Sequence, residues 1–165
     1  MMSFGANEVS ILSSNWTKEN ASTFHNSPWT DALNEAIRCE LAAVEIYSLL
    51  IRSSNFDANS FVDEHARASR KLAVLVIARR GVPADRPATV MVGFNKTILQ
   101  ICSLMPDEIN QRFSRSRLAG LEKHLCLMYA ALASRAPAED RETLDLLGTG
   151  AADRHLFLRR SKINF

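Results

Sequence analysis

Four segments of the chain repeat apolar residues in steps of three and four, and this spacing limits what the chain can fold into. Such a stripe follows one face of a helix, so each segment predicts an amphipathic helix that must bury that face. The predicted long helices cover Pro28 to the break at Ser53, about 57–80, about 106–134, and the residues after Pro137 to about 160. A shorter helix is predicted at about 94–105, after a loop. No segment has the alternation of a strand, so the predicted fold class is all-α.

One polar, titratable residue lies in each apolar stripe, where an apolar side chain would pack best. These residues are Glu40, His65, Glu122 and His155. Burying such a group without a partner is costly, so the four side chains are expected to meet inside one bundle.

The two halves of the chain also repeat one another. The segment that begins ELAAVEIY at Glu40 and the segment that begins EKHLCLMY at Glu122 both read Glu-x6-Tyr-x2-Leu, and each is followed one helix later by a stripe histidine. The repeat predicts a pseudo-two-fold bundle with the four polar residues at its middle. Tyr47 and Tyr129 are expected to bond a carboxylate across the bundle, or else to relay electrons or protons.

With these motifs, residues 29–160 resemble the ferritin-like superfamily, and most closely its small, mostly uncharacterised bacterial members. The predicted order supports this, since two hairpins joined by one long crossover are typical of the ferritin-like four-helix bundle. We therefore expect an all-α, ferritin-like four-helix bundle at 28–165 and a flexible N-terminal arm, rich in Ser, Asn and Thr, at 1–27.

The resemblance implies a set of metal ligands. Metal-binding members combine one Glu on helices one and three with Glu-x-x-His on helices two and four, which matches Glu40, His65, Glu122 and His155. The second carboxylates are missing, because Val62 and Ala152 stand three residues before the two histidines. Two carboxylates balance one divalent ion, so the sequence predicts at most one Fe, Mn or Zn ion per chain. The alternatives are a metal-free group of two Glu and two protonated His, or a di-metal centre.

Composition narrows the function. The 165 residues make one domain, and a formal net charge of +2 argues against nucleic acid as a partner. Three widely spaced cysteines fit neither a zinc site nor a disulfide framework, which favours a reducing, cytoplasmic location. No signal peptide or membrane-spanning run is predicted.

Three functional hypotheses remain. The first is a ferritin-like protein with a reduced interior site and a non-catalytic binding, stress-related or structural role. The others are a metal-dependent oxidase or peroxide-handling enzyme that uses the interior site, and a helical protein-interaction module. A homodimer is expected, since spare apolar residues cannot all point into one narrow core: Ile46, Leu49, Val74, Ile77 and Leu127.

Overall fold

The computed structural model describes residues 27–53, 59–102, 104 and 106–160. These residues form five helices and no strand, in agreement with the predicted all-α class. The helices are α1 (Pro28–Ser53), α2 (Asn59–Ala78), α3 (Thr89–Cys102), α4 (Asp107–Ala133) and α5 (Ala138–Arg160). Most of the predicted N-terminal arm, residues 1–26, lies outside the described residues, as do residues 161–165.

Local sequence explains where the helices begin and end. At the start of α1, the Ser27 hydroxyl accepts the backbone N–H of Thr30 at 3.2 Å, and Pro28 is the first helical residue. At the end of α2, the N–H of Gly81 donates to Val76 O at 3.0 Å and that of Arg80 donates to Ile77 O at 2.9 Å. This is the bonding pattern of a Schellman motif, and Arg80, with φ of 57°, takes its left-handed position.

Gly81 therefore has a different role from the left-handed cap that its place in the sequence suggests. A Cβ at residue 81 would lie 2.9 Å from Val76 Cγ1 and 3.2 Å from Thr30 Cγ2. The position requires glycine because Val76 in the last turn of α2 and Thr30 in α1 both approach it closely, and the left-handed conformation falls on the preceding arginine.

The crossover between the hairpins is more helical than predicted. A loop was expected up to residue 93, whereas α3 begins at Thr89. Val92 is buried and Met91 packs against the core, so tertiary packing outweighs the low helix propensity of the valines in this segment.

Contacts along the crossover show its direction. Asn34 donates to Val82 O at 3.0 Å, Ala88 N–H donates to Arg38 O at 3.1 Å, and Lys96 pairs with Glu45 at 3.6 Å. Residue numbers rise together on both sides, so the crossover runs along α1 in the direction of α1.

The four long helices pack with antiparallel neighbours. Tyr47 contacts Glu122 while Tyr129 contacts Glu40, which makes α1 antiparallel to α4. Arg79 near the end of α2 pairs with Asp140 near the start of α5, so those two helices are antiparallel as well. With two antiparallel hairpins, the chain order is up, down, down, up, and the crossover returns along the bundle.

The core lies between these four helices. The largest fully buried apolar side chains, apart from the two tyrosines, come from all four long helices: Leu33, Ile37, Leu50, Leu72, Leu118, Leu125 and Leu144.

None of the helices in the described ranges combines the length and apolar character needed to cross a membrane.

Candidate functional site

A buried imidazole joins the two hairpins at the middle of the core. His65 Nδ1 lies 2.6 Å from Glu40 Oε2, and His65 Nε2 lies 2.9 Å from Glu122 Oε1. All three side chains are fully buried. An ionised carboxylate only accepts hydrogen bonds, so two ionised carboxylates at these distances require an imidazole that donates from both nitrogens, which is an imidazolium.

The two tyrosines bond the carboxylates reciprocally. Tyr47, seven residues after Glu40, donates to Glu122 Oε1 at 2.7 Å, and Tyr129, seven residues after Glu122, donates to Glu40 Oε1. Each carboxylate thus takes its phenol from the other hairpin. The predicted bond from each tyrosine to a carboxylate across the bundle is confirmed.

Arg154 supplies the second cation. Its Nε donates to Glu122 Oε2 at 2.9 Å, and its Nη1 donates to Glu64 Oε2 at 2.9 Å. We call Glu40, His65, Glu122 and Arg154 the buried ion network. Two carboxylates, one imidazolium and one guanidinium sum to zero charge, which is the condition for burying four ionised groups.

The predicted convergence holds for three of the four stripe residues and is wrong for His155. The imidazole of His155 is half-buried, and its Nδ1 donates to Ala119 O at 2.7 Å. Residues 154 and 155 follow the buried Ala151 by three and four positions, so both spacings fit an inward face. The packing of α5 turns Arg154 inward and places His155 beside α4.

Burial and charge act in opposite directions on the titrating groups. Burial alone would lower the pKa of His65, but the hydrogen bonds and charges of Glu122 and Glu40 outweigh it and raise that pKa above 6.5. Burial would raise the pKa of Glu122, yet His65, Arg154 and the Tyr47 hydroxyl lower it below 4.5. Both shifts favour the charged forms of His65 and Glu122.

The phenols and the nearby thiol are held in their neutral forms. Burial, with the adjacent Glu122, raises the pKa of Tyr47, and burial with Glu40 does the same to Tyr129. Burial and the charges of Glu35 and Glu40 raise the pKa of Cys39 to about 11. A reactive thiolate or phenolate is not expected next to the network.

The donor set does not fit a metal ion. Both nitrogens of His65 already donate to carboxylates, and a protonated imidazole has no lone pair to give. Arg154 adds a second positive charge at Glu122, where a metal ion would otherwise balance the carboxylate. Within the described ranges, no group of three or more His, Cys, Asp or Glu side chains is arranged to hold a metal.

Of the four side chains in the buried ion network, only that of Arg154 has solvent-exposed surface. Glu40, His65 and Glu122 have no exposed surface, whereas the Arg154 side chain is 9% exposed and its partner Glu64 is 41% exposed. The periodicity and motifs of the sequence did not identify Arg154 as a site residue. The signal that identifies it is charge: two buried carboxylates need two cations, and His65 provides one.

A second polar cluster, at one end of the bundle, was also missed. Asp140 is 1% exposed, accepts Trp29 Nε1–H at 2.9 Å and pairs with Arg79 Nη2 at 2.6 Å. These contacts tie α1, α2 and α5 together at their ends.

Comparisons with protein-family models, with curated proteins and with solved structures find no match to this chain.

Proposed function

We propose that this chain is a ferritin-like four-helix protein in which the charged side chains of His65 and Arg154 replace metal ions. Its proposed role is structural or binding rather than catalytic. The Glu-x6-Tyr repeat, the antiparallel hairpins and the crossover along the bundle support the family assignment. The function rests on the buried ion network and not on the fold alone, since one fold hosts many activities.

The observation that carries the proposal is the double bonding of His65. An imidazolium between Glu40 and Glu122 gives charge balance without metal, and Arg154 completes it. This is the metal-free alternative of the sequence analysis, with an arginine in place of the second histidine.

The enzyme hypothesis is less well supported by the same geometry. An oxidase or peroxide-handling centre needs open ligand positions and a path for its substrate. Here the carboxylates accept from His65, Arg154 and the two phenols, and the central side chains have no exposed surface.

Calorimetric titration with Mn²⁺ tests the proposal, because Mn²⁺ prefers oxygen ligands such as carboxylates over thiols. A triple variant, His25→Gln, His124→Gln and His155→Gln, removes every histidine except His65 and leaves the ion network intact. We expect no ion bound at about one per chain in this variant, at pH 7 and up to millimolar Mn²⁺. One ion per chain held by the variant would overturn the proposal.

We also propose a cytoplasmic homodimer that pairs through helix faces. Val74, Ile77 and Leu127 are exposed as expected, whereas Ile46 is buried in the core. Sedimentation equilibrium that shows only monomer at high micromolar concentration would contradict the dimer and would favour an interaction module for a different partner.

A further inference from the structure

A cleft of about 170 Å³ opens between α2 and α5 above the ion network. Its walls combine basic and apolar side chains with one glycine. The lining includes Glu64, Arg67, Lys71, Leu146, Gly150 and Arg154.

The cleft carries net positive charge. Arg154 is balanced on its inner side by Glu122, to which its Nε donates. The outer lining adds two cations, Arg67 and Lys71, and one carboxylate, that of Glu64. One unbalanced positive charge therefore remains at the opening, which suits a monoanion better than a cation or a neutral ligand.

Gly150 lines the cleft beside the guanidinium of Arg154. A Cβ at residue 150 would lie 3.4 Å from Arg154 Nη1, in contact with the guanidinium, and would narrow the cleft there. The neighbouring Gly148 differs, because a Cβ there would lie 3.2 Å from Tyr129 Cβ. Gly148 thus serves close packing of α5 on α4, whereas Gly150 leaves room beside Arg154.

We infer that this cleft binds a short aliphatic carboxylate. The carboxylate group would accept hydrogen bonds from the Arg154 guanidinium, with Arg67 and Lys71 at its sides. The aliphatic chain would pack against Ala68, Leu146 and Leu147, which line the same cleft. Glu64 now bonds Arg154 Nη1 and is half-exposed, so the ligand competes with it for the guanidinium.

The site is linked to the interior because Arg154 contacts both the cleft and Glu122. A carboxylate ligand that binds the Arg154 guanidinium changes the electrostatic potential at Glu122 and at His65, which contacts Glu122. The inference depends on the position of Arg154 and holds whether or not the network excludes metal, so the Mn²⁺ titration and the ligand titration can fail separately.

Butyrate titration of the full chain tests the site, with the Arg154 Nε–H resonance as an NMR readout and calorimetry as a second one. We expect saturable binding of one butyrate per chain and a shift of that resonance. Chloride and inorganic phosphate, each titrated at the same ionic strength, show whether any anion suffices. Weaker binding of both is expected, since neither uses the apolar wall.

Gly150→Ala is the sharpest variant because it adds a methyl group to the cleft wall beside Arg154 without loss of charge. Alanine is the better helix former, so the melting temperature should hold or rise while butyrate binding falls at least fivefold. Arg67→Gln and Lys71→Gln should each weaken binding by about two- to fivefold. Glu64→Gln should strengthen binding by a similar factor, because it removes the competing charge.

Arg70→Gln is the matched control, since Arg70 is exposed on α2 and does not line the cleft. Its binding should equal that of the unmodified chain. Unchanged affinity in Gly150→Ala, equal losses in Arg67→Gln and Arg70→Gln, or no saturable binding up to about 50 mM butyrate would each overturn the inference.

Discussion

Glu122 is the residue with the most demanding environment in this protein. Its carboxylate has no exposed surface and accepts bonds from His65, Tyr47 and Arg154, which come from three different helices. A buried charge with this many donors is stable only while all of them remain. The contribution of each donor can therefore be measured by removing it.

Removal of the guanidinium should be the most costly of these changes. Arg154→Gln leaves the buried Glu122 with one cation fewer, and we expect the free energy of unfolding to fall by about 3–5 kcal/mol. Urea denaturation followed by circular dichroism gives the value. The exposed Arg159, changed to Gln, is the control, with an expected change within about 0.5 kcal/mol. Similar losses in both variants would contradict a paired, buried Arg154.

Loss of either tyrosine hydroxyl should lower the free energy of unfolding by an intermediate amount. Tyr47→Phe and Tyr129→Phe each remove one donor from a buried carboxylate and keep the ring, so each should destabilise the fold by about 1.5–3 kcal/mol. Because the two bonds are related by the pseudo-two-fold, the losses should be alike. The same denaturation measurement applies, and a neutral effect of either variant would show that its hydroxyl bond contributes nothing.

The charge of His65 should give stability a defined pH dependence. The folded-state pKa of His65 lies above 6.5, so its contribution is complete below about pH 6.5 and is lost as the pH rises through the folded-state value. The pKa of Glu122 lies below 4.5, so its contribution is complete above about pH 4.5 and is lost as the pH falls through its folded-state value. Both contributions are complete between those limits.

Urea denaturation at pH 5.5, 7.0 and 8.5 measures this dependence, with His65→Gln as the comparison. The free-energy difference between the two proteins should shrink above pH 6.5, by up to about 1.4 kcal/mol per pH unit. A free-energy difference that is constant from pH 5.5 to 8.5 would mean that folding does not raise the pKa of His65.

At the scale of helices, a group of polar contacts at one end of the bundle holds three of the helices together. Asp140 in α5 accepts the indole N–H of Trp29 from α1 and pairs with Arg79 just after α2. Glu139 also pairs with Arg79, at 3.3 Å, but its side chain is 72% exposed. The adjacent acids Glu139 and Asp140 thus pair with the same arginine, the first from an exposed position and the second from a buried one.

These neighbours form a matched pair of variants. Asp140→Asn removes a buried charge between a guanidinium and an indole, and we expect a loss of about 1–3 kcal/mol. Glu139→Gln removes an exposed ion pair and should cost less than about 1 kcal/mol. Thermal denaturation of both proteins makes the comparison, and an equal or reversed order would show that the pairing with Arg79 does not depend on burial.

At the scale of the whole molecule, periodicity predicted more than residue chemistry did. Steps of three and four placed the four long helices, and they put Glu40, His65 and Glu122 inside because each stripe has a single inward direction. The same steps could not distinguish Arg154 from His155, since both lie one turn after Ala151. Glycine is the usual residue in the left-handed position after a helix, yet Arg80 takes that position with φ of 57°, and close contacts with Val76 and Thr30 fix Gly81.

The sequence predicted which polar residues lie in the interior, but it did not predict how they bond to one another. A resemblance to metal proteins directs attention to histidines as ligands, and it gives no reason to count an arginine among the buried cations. Charge balance over all buried groups supplies that reason, because two carboxylates at zero exposure require two positive partners whatever their type.

The central claim is that a doubly protonated imidazole, and not a metal ion, joins the two hairpins. The most direct test is ¹⁵N NMR of the His65 ring at pH 7.5, with and without one equivalent of Zn²⁺, with His65→Gln to assign the signals. We predict that both ring nitrogens carry a proton and that their resonances do not change when Zn²⁺ is added. A neutral ring with one unprotonated nitrogen, or a ring nitrogen that shifts on Zn²⁺ binding, would contradict the account.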